Sequence, residues 1–256
     1  MSATASVVST FQVLEKVADL QPIGLSALAR AVGLPKSTVQ RCLITLDELK
    51  WARQTTTKPT RWMLTARPFS VGVKAADPFH LLEPSAAVMN ALQRETGETV
   101  LLCVPDGDEM VLVDRADTTQ ELRTLLPVGT RFPKHASAAG LANLAYLDAA
   151  EFRAFCNAGL KPETEWTITD PDELRTRVDL ARRLGYAVND QGLSVGVAAV
   201  AACITERGGH RPVGSIVVSA PTFRITPAKQ EQFGRAVAVA ARQISNALQP
   251  ISVAGP

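Results

Sequence analysis

The sequence predicts an α+β protein with three parts: a small helical unit that ends in a β-hairpin, a connecting helix, and a larger unit with a mainly antiparallel sheet. Two observations predict this. Residues 25–49 carry a helix-turn-helix pattern, and after Gly97 the helical spacing of apolar residues gives way to β-rich segments joined by turns. Such hairpins with interspersed helices are typical of α+β proteins. We expect the parts to span residues 1–76, 77–97 and 98–256.

The helix-turn-helix pattern begins at Leu25. Its fifth residue is Ala29, its ninth is Gly33 and its fifteenth is Val39. Such a unit needs a small residue where its two helices cross, a glycine in the turn, and an apolar residue that packs the second helix on the first. The spacing therefore predicts one exposed helix face that a DNA major groove could receive.

The residues around this pattern predict where the helices begin. Ser26 is placed to cap the second helix with its side chain, and Pro35 fits the first position of the third helix. Upstream, four apolar residues at helical spacing predict an amphipathic first helix: Val7, Phe11, Leu14 and Ala18.

The phase of the third helix follows from its turn of about 100° per residue. One face is apolar and is predicted to lie in the core: Val39, Cys42, Leu43, Leu46 and Leu49. The opposite face is predicted to be exposed and holds Ser37, Gln40, Arg41, Ile44, Thr45 and Glu48. The exposed set suits a DNA groove, because Arg41 can donate two hydrogen bonds to guanine, Gln40 can pair with adenine and Ile44 can meet a thymine methyl.

Groups at the ends of this helix suit the DNA backbone. Lys36 and Ser37 lie at its N-terminus, where backbone N–H groups and the helix dipole favour a phosphate. Two β-prone segments around Lys58-Pro59 then predict a hairpin, the wing of a winged helix, with Lys58 and Arg61 near the phosphates or the minor groove. The predicted DNA contacts are Ser26, Lys36, Ser37, Thr38, Gln40, Arg41, Ile44, Thr45, Lys58 and Arg61. The alternatives are a solvated face and a hairpin that only covers the core with Trp51 and Trp62.

Charge and composition favour an N-terminal unit that meets a polyanion. Residues 1–75 carry ten Lys or Arg and four Asp or Glu, a net charge of +6, whereas the remainder carries −4. Chance clustering is the alternative. The longest apolar stretch, Val195–Ile204, is about half the length of a spanning helix, and the first residues lack the features of a signal peptide. We therefore expect a cytoplasmic protein that does not contact a membrane.

Cysteine and histidine spacing predicts neither a metal site nor a cofactor. The four cysteines form no C-x-x-C pair and the three histidines are solitary; they are Cys42, Cys103, Cys156, Cys203, His80, His135 and His210. Buried reduced thiols are the expected role of the cysteines.

The remaining elements are predicted from periodicity and cap signals. The connecting helix should run from Asp77 to about Glu95, because helical spacing is followed by Leu81, Leu82, Ser85, Val88, Met89 and Leu92. Predicted strands are Thr99–Val104, Met110–Arg115, Glu121–Leu126, Val197–Ile204 and Val213–Ala220. Predicted helices are Ala138–Leu147 after Ser137, one capped by Asp148, Pro171–Leu184 after Asp170, and a last helix opened by Thr226-Pro227.

The segment Gly33–Leu43, followed by a short wing, resembles the IclR family of bacterial transcriptional regulators. The larger half is similar to that family's GAF-like effector-binding domain in three segments, His135–Gly140, Leu184–Asn189 and Ile216–Pro221. The resemblance implies a ligand-responsive regulator that binds operator DNA as a homodimer or a dimer of dimers. It also implies a small organic acid as effector, with its carboxylate on N–H groups at the start of the Ser137 helix.

Carried over by position, the resemblance implies an effector pocket formed by Ser137, Ala138, Ala139, Asn189, Ala199, Val217 and Ser219. The sequence departs from the family pattern at three of them. Asn189 stands where Asp is common, and Ala199 and Val217 stand where Cys and Ser can occur. The departures predict a less polar, roomier pocket for a larger, even aromatic, acid; changed packing without a change of ligand is the alternative.

Two other function classes were weighed against a ligand-responsive regulator. Gly192–Gly196 matches the G-x-S-x-G nucleophile elbow of hydrolases, but Asn189-Asp190-Gln191 before it is predicted to be a loop and the following run a strand. After Ser194 the chain has no Asp, and the Glu206 and His210 pair lies in one turn, so we expect no enzyme. A DNA-binding structural protein without a ligand would not need an α+β unit of this size.

Overall fold

The structure, a computed structural model, describes residues 3–75, 81–208 and 211–248. The chain forms two compact units, Met1–Ala76 and Asp77–Pro256, and each is described by itself. The first unit contains α1 (Ala5–Leu20), α2 (Leu25–Val32), α3 (Lys36–Glu48), β1 (Ala52–Gln54), β2 (Trp62–Leu64) and α4 (Arg67–Ala75).

The helix-turn-helix and its wing are confirmed. Gly33 ends α2 in the left-handed conformation with φ of 73°, which suits a residue without Cβ. Ala29 is buried, and Val39 is fully buried where α3 packs on α2. The strands β1 and β2 pair antiparallel directly after α3. Together with Trp62 these elements enclose one apolar core.

The predicted buried face of α1 is wrong. Val7 and Phe11 are 53% and 57% exposed, and the side chains that enter the core are Val13 and Val17. The helix carries two apolar rows at helical spacing, so its period predicts a helix but does not decide which row is buried. Packing against α2 and α3 selects the second row, which is a tertiary effect.

Three predicted boundaries of the first unit also shift. Ser26 does not cap α2: the N-cap is Gly24, without a side-chain hydrogen bond, and Ser26 lies inside the first turn. Pro35 is the N-cap of α3, which begins at Lys36. Leu49 is 52% exposed rather than buried, because α3 ends at Glu48 and the chain turns away from the helix phase. The helix α4 was not predicted.

The second unit is built on a six-stranded antiparallel sheet. In chain order it contains α5 (Leu82–Thr96), β3 (Thr99–Asp106), β4 (Glu109–Ala116), β5 (Arg131–Pro133), α6 (Ala138–Leu144), α7 (Ala149–Asn157), α8 (Pro171–Leu184), β6 (Ala187–Asp190), β7 (Val197–Thr205), β8 (Pro212–Pro221), a 3₁₀ turn (Thr222–Arg224) and α9 (Pro227–Ala247). The strand order is β5-β4-β3-β8-β7-β6, with antiparallel neighbours throughout. The α+β class is confirmed.

Both faces of this sheet are covered by helices. Side chains of α5 and α9 pack on one face against Val100, Leu102 and Val200. Side chains of α6, α7 and α8 pack on the other face, against Leu101 and Val217. Alternate residues of one strand therefore enter different cores, as the period of two requires.

Most helix starts of the second unit are confirmed by their caps. Ser137, Asp148, Asp170 and Thr226 each accept a backbone N–H of the first turn that follows, and Asp148 with Glu151 forms a full capping box. The predicted connecting helix forms as α5, in which Ser85, Met89 and Leu92 are buried while Leu82 and Val88 are partly buried. Its predicted start at Asp77 lies outside the described residues, as does part of the turn around His210.

Three predictions for this unit are corrected. Glu121–Leu126 is not a strand, because the place beside β4 is taken by Arg131–Pro133; residues 117–130, which we call the strap, are irregular. The helix predicted as Ala138–Leu147 ends at Leu144. Residues Ala187–Asp190 form the edge strand β6, which was not predicted because four residues give too short a pattern.

Candidate functional site

The exposed face of α3 carries the side chains that the helix phase assigned to it. Gln40, Arg41, Thr45 and Glu48 are exposed, and Ile44 is 47% exposed although it is apolar. The guanidinium of Arg41 has no ion pair or hydrogen bond with any described residue. Arg41 and Ile44 are thus both exposed to solvent on α3, while the opposite face of the helix is packed in the core.

The beginning of the same helix presents polar groups to solvent. Lys36 and Ser37 are exposed in the first turn of α3 and Thr38 is half-buried. The N-cap is Pro35 and offers no side-chain acceptor, so the first amide groups of α3 have no intrahelical partner. Ser26 is exposed in the first turn of α2.

The two cations predicted to contact DNA from the wing differ in their surroundings. Lys58 is exposed in the loop between β1 and β2 and has no partner among the described residues. Arg61 is exposed, but its Nη1 donates to the carbonyl oxygen of Pro22 at 3.4 Å. Arg53, which the sequence reasoning did not select, is exposed in β1.

The seven predicted effector residues come together around one cavity of about 50 Å³ in the second unit. Its wall includes every member of the set: Ser137, Ala138, Ala139, Asn189, Ala199, Val217 and Ser219. They come from α6 and from three different strands, which are far apart in sequence. The structure therefore supplies a place for a ligand, and the binding roles stay predictions.

Strand register explains why these residues meet. Thr99 of β3 stands opposite Ser219 of β8, Ser219 stands opposite Ala199 of β7, and Ala199 stands opposite Asn189 of β6. The four residues form one row across four strands, and opposite residues share a face of the sheet. The next pair toward the sheet centre places Val217 beside Leu101. The short side chain of Ala199 leaves space in this row.

The start of α6 closes the cavity opposite the sheet. The Ser137 hydroxyl accepts the N–H of Gly140 at 3.1 Å, while the N–H groups of Ala138 and Ala139 have no acceptor among the described residues. Gly140 is required by close packing, because a Cβ there would lie 2.1 Å from the carbonyl oxygen of Lys134. Backbone N–H groups are thus brought to the cavity by a tight contact.

The chemistry of the wall is neutral and rich in donors. Asn189 accepts the N–H of Gly192 through Oδ1 at 3.0 Å, which leaves its Nδ2 amino group as a donor. Burial raises the pKa of the Cys103 thiol well above its ordinary value, so this part of the wall is uncharged. Among the described residues the wall contains no Lys, Arg, Asp or Glu.

The expectation of a pocket roomier than the family pattern implies stays a prediction. Benzene fits an apolar cavity of about 150 Å³, and the cavity here measures about 50 Å³. Ala199 does remove volume from the sheet side, but the apolar side chains Leu126, Phe132 and Leu193 occupy the space. Sequence reasoning missed these wall residues and Thr124 of the strap, because an irregular segment carries no periodic signal.

The G-x-S-x-G segment lies between two strands. Asn189 and Asp190 before it belong to β6 rather than to a loop, which corrects the prediction, and β7 follows at Val197. A nucleophile elbow joins a strand to a helix, so the segment lacks that geometry. Ser194 is exposed at the rim and lines the cavity; His210 lies outside the described residues.

Comparison with known proteins decides the family. The family model of the IclR helix-turn-helix domain matches residues 6–56. The family model of the bacterial transcriptional regulator IclR C-terminal domain matches residues 73–246. The chain belongs to the IclR family of bacterial transcriptional regulators. Members of this family are DNA-binding regulators and not enzymes. Membership of the family therefore excludes the hydrolase alternative.

Relatives of this IclR-family regulator resemble it over most of its length. The transcriptional repressor IclR of Escherichia coli K12 is 32% identical over 239 residues, covering 91% of this chain and 86% of its own. The regulator KdgR of Dickeya chrysanthemi is 29% identical over 245 residues, covering 95% of this chain and 80% of its own.

Solved structures share the fold. A putative IclR regulator from Silicibacter sp. TM1040 has 26% identity and a TM-score of 0.75, with coverage of 95% of this chain and 96% of its own. An IclR homologue from Microbacterium hydrocarbonoxydans, solved in complex with 4-hydroxybenzoate, has 20% identity and a TM-score of 0.77, with coverage of 95% and 100%.

The described residues contain neither a candidate membrane span nor a candidate metal site. No described helix is both long enough and apolar enough to cross a membrane. The described His, Cys, Asp and Glu side chains form no group of three or more that could bind a metal ion.

Proposed function

We propose that this IclR-family regulator binds operator DNA through α3 and the wing, and that a small organic acid in the cavity changes its operator affinity. The observation that carries the proposal is the convergence of α6 and three strands on one small, partly open cavity with backbone N–H groups that have no acceptor among the described residues. A domain that served only as an anchor for a DNA-binding unit would need no such cavity.

The proposed DNA contacts divide into base readers and backbone contacts. Gln40, Arg41 and Ile44 lie on the exposed face of α3 and would meet base edges in the major groove. The amides at the start of α3, with Lys36, would hold a phosphate, and Lys58 would contact the backbone from the wing. Arg61 is the weaker candidate of the wing, because it donates to Pro22.

The size and polarity of the cavity favour a short carboxylate. The N–H groups of Ala138 and Ala139 are unpaired and point to an acceptor with negative charge, and the Asn189 amino group adds a donor. A wall without acidic side chains does not repel an anion. A volume near 50 Å³ disfavours an aromatic acid.

Hydrogen bonds of the strap supply a physical link between the cavity and the end of α5. Thr118 Oγ1 donates to the carbonyl oxygen of Gly97, the residue that ends α5, at 2.6 Å. Arg224 holds the buried Glu98 by two bonds of 2.7 and 2.8 Å and also donates to Leu122 O at 2.9 Å. An acid that shifts the strap would therefore also shift the C-terminal end of α5, to which the strap is hydrogen-bonded. We propose this as the route by which effector binding alters DNA binding.

The assembly and the biological setting are part of the same proposal. A homodimer, or a dimer of dimers, would set two copies of α3 on operator half-sites about one helical turn apart. Regulation of catabolic genes suits an acid effector, and one relative of 30% identity over 239 residues is the acetate operon repressor of Salmonella typhimurium. Action on chromosomal operators implies the bacterial cytoplasm.

A titration of the operator complex tests this function. An operator is first selected from random-sequence DNA with the purified full-length protein, and its dissociation constant is measured against a panel of short carboxylates. We expect at least one acid to change operator affinity by about 5–150-fold, the usual range of allosteric coupling. Tight binding of an acid without any change in operator affinity would contradict the proposed coupling.

A further inference from the structure

One side of the strand β6 has no neighbouring strand among the described residues. β6 is an edge of the six-stranded sheet and pairs with β7 on its other side. The N–H of Gln191, directly after β6, donates to the carbonyl oxygen of Val197 at 2.8 Å. Successive residues of an antiparallel strand turn their backbone groups to opposite sides. The N–H and C=O groups of Val188 and Asp190 therefore face the free edge, and no described residue bonds to them there.

A groove of about 530 Å³ lies along this free edge, and it is lined by β6, by α8 and by the first turns of α9. Because α8 and α9 pack on opposite faces of the sheet, a groove that both helices line together with β6 must lie beyond the edge of the sheet. The opposite edge strand, β5, ends in Pro133, and a proline protects an edge because it has no N–H to donate. β6 contains no proline, so the groove is open to a further strand.

The two walls of the groove differ in chemistry. The α8 side is lined by large apolar side chains that are exposed to solvent: Trp166, Leu180 and Leu184. The α9 side is acidic. Asp190 shares a face of β6 with Val188, which packs on the core under α9, and Glu231 lies on α9 itself.

The charge of the groove favours a basic partner. The described residues that line it include three acidic side chains and one basic side chain: Glu173, Asp190, Glu231 and Arg177. Asp190 has no ion pair with a described residue, whereas Glu231 pairs with Arg235. Pairing of β6 with a second copy of itself about a twofold axis would place two Asp190 carboxylates on the same face of the sheet, where like charges are destabilising. A basic segment would instead compensate Asp190.

We propose that this groove binds an extended segment of a partner protein as a seventh strand, and that apolar and basic residues alternate along the segment. The backbone groups of Val188 and Asp190 bond to the main chain of the segment, which is the usual source of affinity in strand addition. Its side chains point alternately to the two faces of the sheet. The apolar side chains therefore meet the α8 wall, and the basic ones meet Asp190 and Glu231.

Binding of a short peptide tests this proposal. The probe is a capped heptapeptide in which lysine and valine alternate, and the controls are its block-ordered isomer and a peptide of alternating glutamate and valine. Hydrogen exchange of the full-length protein is followed by NMR with each peptide. We expect the alternating lysine peptide to bind more tightly than both controls and to slow exchange of the Val188 and Asp190 amides, because a paired amide exchanges only when the pairing opens.

Two matched pairs of variants test the two walls. Leu184 is 48% exposed, and Leu184→Ala should weaken peptide binding by about 3- to 12-fold, since about half of a leucine side chain leaves water on binding. Val239→Ala is its control, because Val239 is 45% exposed on α9 and does not line the groove. Asp190→Asn should weaken binding by up to about fivefold, the range of one exposed ion pair. Asp172→Asn, an exposed position of α8 outside the groove, should leave binding unchanged.

Three results would overturn the proposal. The first is the absence of binding, or equal binding of the alternating and the block-ordered lysine peptides. The second is binding that leaves exchange of both edge amides unchanged. The third is protection of these amides that rises with protein concentration without any peptide, which would make β6 an interface between copies of this chain. None of these results would affect the proposed effector cavity.

Discussion

The proposed DNA-reading face of α3 and the proposed effector cavity are built in opposite ways. The face is convex, and its proposed base readers come from α3, a helix of 13 residues. The cavity is concave and is assembled from α6, the strap and several strands of one sheet. A face on one helix keeps its geometry as long as that helix is packed. A cavity assembled from distant segments changes when any one of them moves, which is the property that a ligand sensor needs.

The largest expected effect is on stability, and it comes from a substitution in the core that packs under the exposed face of α3. Leu43 is fully buried on the packed side of α3, and Leu43→Ala should lower the free energy of unfolding of the first unit by about 2–5 kcal/mol. Calorimetric unfolding of the full-length protein should show an earlier transition for that unit, with acid binding by the second unit retained. Ile44→Ala is the matched control for stability, because the neighbouring side chain is 47% exposed. Loss of acid binding in Leu43→Ala would contradict the separate construction of the two regions.

The corresponding change in the cavity is Gly140→Ala. The new Cβ would lie 2.1 Å from Lys134 O, so α6 must shift, at a cost of about 1–3 kcal/mol or more. We expect a less stable second unit and loss of acid binding, followed by calorimetry. Gly72→Ala serves as control, because a Cβ on this helical glycine of α4 meets nothing within 4 Å. Acid binding as tight as in the wild type would show that the start of α6 is not part of the site.

A smaller effect separates base reading from charge. Arg41→Ala should weaken binding to the selected operator by about 1–3 kcal/mol while random DNA is affected less, if Arg41 contacts a guanine. Arg242→Ala, which removes one exposed positive charge from the second unit, is the control. Equal weakening on both DNAs in fluorescence anisotropy titrations would reduce Arg41 to a phosphate contact.

The smallest effect is expected at the wing. Lys58→Ala should weaken all sequences alike and reduce the slope of log affinity against log salt by about 0.9, the value of one phosphate contact on duplex DNA. Lys58→Arg should keep the slope. A change in sequence preference would instead make Lys58 a reader of the minor groove.

The two regions also differ in how far the sequence predicts them. The exposed set on α3 follows from one helix phase and agrees with the structure except at the chain turn after Glu48, where Leu49 leaves the core. For α1 the period predicted a helix, but Val13 and Val17 rather than Val7 and Phe11 are buried, because packing between helices decides between two apolar rows.

The cavity shows the limit of local reasoning more clearly. Its seven expected residues came from resemblance and meet through strand register, which no local pattern encodes. Thr124 was placed on a strand that does not form, since the edge beside β4 belongs to Arg131–Pro133. The short side chain of Ala199 predicts additional cavity volume on the sheet side. Leu126 and Phe132, which come from distant segments, also line the cavity, and no local pattern places them there.

The central claim is that operator binding and acid binding are coupled, and a reciprocal measurement tests it most directly. The affinity of the full-length protein for its tightest-binding short carboxylate is measured by calorimetry with and without saturating operator DNA. The operator affinity is measured with and without the saturating acid. Linkage requires both ratios to be equal, and we predict equal ratios of about fivefold or more. Two ratios of one, with both ligands bound, would contradict the account.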